Sequence, residues 1–116
     1  MPVSKRDLSY VWDMWTAAQE ILDFIQGVSQ AEFERNNQLR YAVERQLMVI
    51  GEAARHVSDE FQEQHPEIPW LQIIGQRNVL AHDYGEILVE RVWLTATKSL
   101  PELIARLDQI VHDRDE

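Results

Sequence analysis

The sequence predicts an all-α fold, an antiparallel four- to five-helix bundle in one domain over residues 1–116. Three observations predict it. Apolar residues recur at 3.6-residue spacing through four long segments. No segment alternates apolar and polar residues with the period of a strand. Helix-starting residues stand at the segment edges, as Ser4 with Asp7, Ser29 with Glu32, and Pro69.

The first stripe is Leu8, Val11, Trp12, Trp15, Ala18, Leu22 and Ile25, and Gly27 can stop it, which predicts a helix over about 5–26. Ser29 with Glu32 then opens a short helical turn that ends near Asn36. The second stripe, Leu39, Val43, Leu47, Ile50, Ala54, Val57 and Phe61, predicts a helix over about 37–62. Gly51 stands inside it. An interior glycine costs a helix about 1 kcal/mol, and a close helix–helix contact would explain its presence. "HPEIPW" breaks the chain, and Pro69 fits the first position of a third helix over about 69–82. That helix has the stripe Trp70, Ile73, Ile74, Arg77 and Ala81. The last segment, about 87–112, carries Leu88, Val92, Leu103, Leu107 and Ile110. Pro101 either kinks it or stands at the start of a fresh helix capped by Ser99 and Glu102.

Twenty acidic against 11 basic residues give a net charge of −9. That balance argues against a general affinity for nucleic acid, so any RNA site must be a local island of arginine. The absence of cysteine excludes disulfides and thiolate zinc sites and fits a reducing compartment. The opening "MPVSKRDLSYVWDMW" has no continuous apolar run of the signal-peptide type, and no stretch approaches membrane-spanning length. A cytoplasmic protein with no membrane partner is the expectation.

The densest polar chemistry lies in "GQRNVLAHDYGE", residues 75–86. On a helix, Arg77 and Tyr84 fall nearly in line on the apolar stripe, and Asn78 and His82 share a neighbouring one. Arg77 and His82 are about 140° apart on a continued helix. They converge only if the helix ends near His82 and curls back, and Gly85 makes an end there reasonable. A guanidinium beside an imidazole suits phosphodiester cleavage. Arginine holds two phosphate oxygens and offsets the charge of the transition state, and histidine moves a proton near neutrality. RNA supplies its own 2′-hydroxyl nucleophile, so no metal is needed. The reaction wants both a base and an acid, and a two-fold dimer would bring two histidines together. The plainer alternative is that Arg77 snorkels or pairs with a carboxylate, while His82 interacts with the dipole of a helix end.

Other polar groups read as structural. Glu52 and His56 stand four apart on the second helix and could touch one metal ion, but they lack the paired ligands of di-metal bundles. Arg40, Arg45 and Arg55 mix with Glu44 and Glu52 as intrahelical pairs, with a phosphate-binding rim as the alternative. His65 and His112 read as solvent histidines. Trp12, Trp15, Trp70 and Trp93 read as core or interface anchors.

"RNVLAHDY" resembles the Arg-x4-His-x-Tyr motif of the HepT-like family, within the HEPN ribonuclease superfamily. "YAVERQLMVIGEAA" at 41–54 is similar to that family's second-helix segment, and "HPEIPWLQIIGQRNVLAHDY" at 65–84 to its third. "VW" at 92–93 and "LPELIARL" at 100–107 resemble its last helix. The resemblance implies a dimeric, all-helical, metal-independent ribonuclease that acts as the toxin of a prokaryotic toxin–antitoxin pair. It implies that Arg77 stabilises phosphate, that His82 is the general acid and base, and that Asn78 orients substrate or the histidine. It implies no cofactor of its own. Its partner would be an MntA-like nucleotidyltransferase antitoxin that uses ATP to place AMP on Tyr84, adding charge and bulk beside Arg77. The chain departs from many relatives in "YGEILVERVW", where Gly85 and Leu88 replace an aromatic residue and a helix-opening Asp or Asn. The distance from His82 to Trp93 is unchanged, which implies altered capping with the register kept. A non-catalytic helical module that binds a nucleotidyltransferase is the main competing function, and a plain dimerisation domain the third.

Overall fold

A computed structural model of the chain describes the backbone at residues 5–82 and 86–113, and the side chains of these except 79–82, 86–88 and 113. The described backbone is helical with no strand: α1 (Lys5–Ile25), α2 (Gln30–Arg35), α3 (Asn37–His56), α4 (Asp59–Gln64), α5 (Trp70–His82), α6 (Glu86–Leu94), a π turn (Thr95–Ser99) and α7 (Leu100–Asp113). This is the all-α bundle that the periodicity predicts. α3 is its central element, packed against α1 on one side and α5 on another, while α7 packs against α1.

The core face of α1 is rotated from the predicted stripe. Val11, Met14, Ala17, Ala18, Ile21 and Ile25 are buried, whereas Trp12 is exposed and Trp15 only half-buried. Small alanines let α3 approach the helix, and the bulky indoles stand at the edge of the contact. Trp15 uses that position to donate its indole N–H to Asp108 Oδ1 of α7 at 3.2 Å. Gly27, with φ of 74°, ends the helix in the left-handed conformation that glycine adopts without strain.

Ser29 and Glu32 form the predicted capping box. The serine hydroxyl accepts the Glu32 N–H at 3.1 Å and the glutamate accepts the Ser29 N–H at 3.0 Å. These bonds hold the Glu32 carboxyl below its ordinary pKa, the backbone bond contributing most. α2 is anchored by fully buried Phe33, which meets Trp93 of α6 at a ring separation of 5.1 Å. Asn36 closes α2 and caps α3, its side-chain oxygen accepting the Leu39 N–H at 3.0 Å.

The predicted second helix, 37–62, is two helices. α3 ends at His56, Val57 is extended, and Ser58 caps α4 by accepting the Phe61 N–H at 3.2 Å. The break is fixed by the far end of the chain. Asp7 of α1, buried at 5% exposure, accepts the Ser58 backbone N–H at 2.8 Å and the Ser58 hydroxyl at 2.7 Å. The start of α1 therefore meets the end of α3, so the two run antiparallel. Ser4, the expected cap of α1, lies outside the described residues. Gln62 completes the corner by donating to the carbonyls of Ala54 and Val57 at 3.3 and 3.0 Å.

α5 begins at Trp70, one residue later than predicted. Pro69 serves as its cap residue, and its carbonyl accepts the Ile73 N–H at 3.1 Å. Between α6 and α7 the chain stays helical, with a π turn just before Pro101. The Leu100 N–H bonds to the Thr95 carbonyl, a five-residue step. Proline has no N–H and its ring crowds the carbonyl four residues back, and a widened turn ahead of it relieves that crowding. Pro101 thus modifies one continuous helix, and the fresh start is not made.

Candidate functional site

The site is built where α5 lies on α3. Gly51 is the contact point. A Cβ placed there would come within 2.3 Å of Arg77 Cβ, 2.9 Å of Arg77 Cγ and 3.3 Å of the Ile73 carbonyl oxygen. The glycine removes the side chain that would hold the helices apart, as its interior position predicted, and the carbon stem of Arg77 lies in that space. Arg77 therefore does occupy the packed stripe of α5, on the side of α3.

The Arg77 side chain is 32% exposed as a whole, and its guanidinium is met on two sides. Its Nη1 donates to the Asn78 side-chain oxygen at 3.2 Å. Its Nη2 lies 3.3 Å from Glu52 Oε2, in an ion pair without hydrogen-bond alignment. The other Glu52 oxygen, Oε1, accepts from Arg55 Nη2 at 2.8 Å and lies 3.1 Å from His56 Nε2. Tyr10 of α1 stacks on the His56 ring at 5.4 Å between centroids. The carboxyl of Glu52 is held down to a pKa of about 2, first by the Arg55 hydrogen bond, then by His56 and the charges of Arg55 and Arg77, against a desolvation that raises it. It is ionised at any physiological pH.

Asn78 is exposed at the surface and adjoins Arg77. His82 is the last described residue of α5, and the end that Gly85 led the sequence to expect falls on residues outside those described. The His82 side chain, like all of Tyr84, lies outside the described residues. The backbone remains helical through 82, so one chain's helix leaves positions 77 and 82 about 140° apart. Position 82 falls instead on the stripe of Leu71, Gly75 and Asn78. That stripe faces away from the bundle: Leu71 is 85% exposed, and a Cβ built on Gly75 would meet nothing within 4 Å.

Beside α5, on the flank away from Glu52, a cavity of about 500 Å³ is walled by Leu47, Ile50, Ile73, Leu100 and Leu103. Gln76 reaches across it to donate to the Thr95 hydroxyl of the π turn at 2.7 Å.

Glu52 is the site residue that sequence reasoning did not connect to Arg77. Spacing along α3 reveals its link to Arg55 and His56, and nothing local reveals a partner on another helix. Gly51 carried the usable signal, since a glycine kept inside a helix marks where a neighbour comes close. The remaining candidates are structural in the described residues. Arg40 donates to Asn37 at 2.6 Å and lies over the Tyr41 ring. His65 pairs with Glu67, and His112 with Asp108. Trp70 is buried and donates to the His65 carbonyl at 2.9 Å. Among the described residues no three His, Asp or Glu side chains converge as a metal site, and no helix is long and apolar enough to cross a membrane.

Comparison with known proteins adds a second kind of finding. Residues 14–110 match the family model described as "Ribonuclease HepT-like". The chain is 34% identical over 102 residues to "Putative RNase MJ1380" of Methanocaldococcus jannaschii, covering 87% of this chain and 94% of the relative. It is 33% identical over 113 residues to "Putative RNase MJ0125" of the same organism, covering 97% of each. It is 30% identical over 101 residues to "Probable ribonuclease HepT" of Thermococcus cleftensis, covering 87% and 92%. No solved structure matches the chain.

Proposed function

The chain belongs to the HepT-like ribonuclease family, and from that premise we propose that it is a metal-independent endoribonuclease toxin whose RNA cleft is shared by two copies of the chain. The observation that carries the reading is the division of α5. Its inner face fixes Arg77 against Gly51 and leaves the guanidinium accessible. Its outer face bears Leu71, Gly75, Asn78 and the position of His82, and among the described residues Leu71 is exposed and the space beside Gly75 is open. A second copy set on that outer face supplies what one chain lacks, a second imidazole and a second wall.

The chemistry follows from these groups. Arg77 holds the non-bridging oxygens of the scissile phosphate and offsets the charge that grows on them. One His82 takes the proton from the 2′-hydroxyl, whose oxygen attacks phosphorus as the bond to the 5′-oxygen breaks. The His82 of the second copy gives a proton to that leaving oxygen, and the products are a 2′,3′-cyclic phosphate and a free 5′-hydroxyl. Asn78 steadies Arg77 through the 3.2 Å hydrogen bond and takes part in orienting substrate. No resident cofactor enters.

Control is assigned to a nucleotidyltransferase antitoxin of the MntA-like kind, acting in the cytoplasm. It would use ATP to join AMP to the Tyr84 oxygen with release of pyrophosphate, placing phosphate charge where the RNA backbone has to bind. The net charge of −9 favours a second reading, a non-catalytic module that binds the nucleotidyltransferase, because an acidic protein repels RNA.

Purified protein incubated with RNA in EDTA tests the first reading. Cleavage with cyclic phosphate ends is expected, and Arg77→Ala and His82→Ala should each lose it by about a hundredfold or more while remaining folded. Parent-level cleavage by both variants overturns the catalytic assignment. Co-expression with the nucleotidyltransferase and mass analysis of the Tyr84 peptide tests the second part, and an unmodified peptide removes the acceptor role.

A further inference from the structure

We propose that Glu52, on a different helix from the Arg-x4-His motif, is the positioning residue for Arg77: its carboxylate sets where the guanidinium meets the RNA phosphate. The inference rests on the ribonuclease reading of the site.

An arginine side chain has several rotatable bonds, and catalysis asks that its fork be held to within about 0.5 Å of its working place. Here the chain restricts it in stages. The stem is confined where Gly51 leaves room for Cβ and Cγ. The head is drawn to Glu52, the residue next to that glycine, by an ion pair of 3.3 Å. Glu52 is itself restrained, because Arg55 and His56 occupy its Oε1 and leave Oε2 turned to Arg77. Tyr10 stacked on His56 ties that support to α1.

The form of the ion pair separates positioning from blocking. Arg77 and Glu52 attract by charge, but no N–H of Arg77 is aligned on the carboxylate. One Nη1 proton goes to Asn78, and the others are left for the two oxygens of a phosphate, a pairing that a guanidinium makes bidentately. Substrate can bind without expelling Glu52. The low pKa of the carboxyl means that the charge needed for this role is present throughout the neutral range.

Glu52→Gln tests the proposal because it keeps the shape and removes the charge. RNA cleavage should lose kcat by about tenfold to a hundredfold, the effect of a misplaced catalytic group, with KM changed less than about threefold. Oligomeric state and helicity should stay at parent values, and the loss of melting temperature at neutral pH should be small, because solvent screens the charge of a side chain 41% exposed. Glu52→Asp keeps the charge one methylene further back and should recover part of kcat. The double variant Glu52→Gln with Arg77→Ala should cleave no more slowly than Arg77→Ala alone, since the two residues then act as one unit. If the Gln variant does not fold, Arg55→Leu removes the main tether of the carboxylate and should lower kcat several-fold. Unchanged or faster cleavage by Glu52→Gln, or additive losses in the double variant, overturns the proposal. Parent-level cleavage by Arg77→Ala overturns the ribonuclease reading itself, so the two failures are told apart.

Discussion

Arg77 rests on Gly51 so closely that the two helices bearing them could not hold their present spacing with any side chain at position 51. A Cβ there would stand 2.3 Å from Arg77 Cβ, well inside any tolerated contact between carbons, and the group it strikes is the fixed root of the side chain. Gly51→Ala is therefore expected to push α5 off α3. Alanine favours the helix by about 1 kcal/mol, and overpacking opposes it by about 1–3 kcal/mol. The net change should destabilise the fold by on the order of 1 kcal/mol in a urea titration. RNA cleavage should fall much further than that loss of stability explains, because the shift moves Arg77.

The junction of α1 with α4 is the second point of vulnerability. Asp7 accepts two hydrogen bonds from Ser58 and is buried. Asp7→Ala removes both bonds; Ser58 is exposed, so its freed N–H and hydroxyl can turn to water, and the cost is that of losing hydrogen bonds to a charged group, about 1.5–3 kcal/mol. The melting temperature should drop by several degrees. Ser58→Ala should lose less, because the backbone N–H still bonds to Asp7 and only the hydroxyl bond and the α4 cap go. The double variant should be less destabilised than the sum of the two, which calorimetry of all four proteins will show.

These two contacts also show what was legible in the sequence. Gly51 announced a close approach because glycine inside a helix has a local penalty that only packing offsets. Ser29 and Glu32 announced their capping box because both partners lie within one turn. The break at Ser58 went unread, since the apolar stripe continues to Phe61 and the deciding partner, Asp7, is on another helix. The buried face of α1 was misplaced because tryptophan counts as apolar in any periodicity and yet sits at edges, where its N–H can bond. Glu52 read as a surface residue of α3 for the same reason as Ser58, its decisive partner being distant in the chain. The Arg-x4-His-x-Tyr motif stands out in the sequence as a cluster of chemistry, and the turn expected after His82 lies outside the described residues.

The pH dependence of stability should carry the signature of Glu52. Its folded pKa, about 2, lies below the ordinary value of 4.5. A depressed carboxyl stabilises the fold at every pH above its unfolded pKa. That contribution fades as pH falls from about 4.5 toward 2, where the folded form also takes up its proton. Denaturant titrations between pH 6 and 2 should therefore show the parent losing stability more steeply than Glu52→Gln below about pH 4.5, with the two curves parallel above it. The carboxylate is near the surface, and added salt should shrink the difference. Parallel curves through the whole range would remove the ion-pair cluster as a source of stability.

Leu71 gives the most direct test of the shared cleft. Its side chain is 85% exposed and packs against nothing that the isolated bundle needs. Replacing it with Asp should change the stability of the monomer by no more than about 0.5 kcal/mol, as for other surface positions. Leu71 stands on the same stripe as Gly75, Asn78 and the position of His82, so a second copy seated there would bury it. A charge placed in that contact has to be desolvated without a partner, which strongly disfavours association. Light scattering should then find the parent dimeric and Leu71→Asp monomeric at micromolar concentration, with unchanged helicity. RNA cleavage should disappear along with the dimer, although Arg77 and His82 are both intact. A dimeric Leu71→Asp protein would place the interface elsewhere, and a monomer that still cuts RNA would show that one chain completes the site alone.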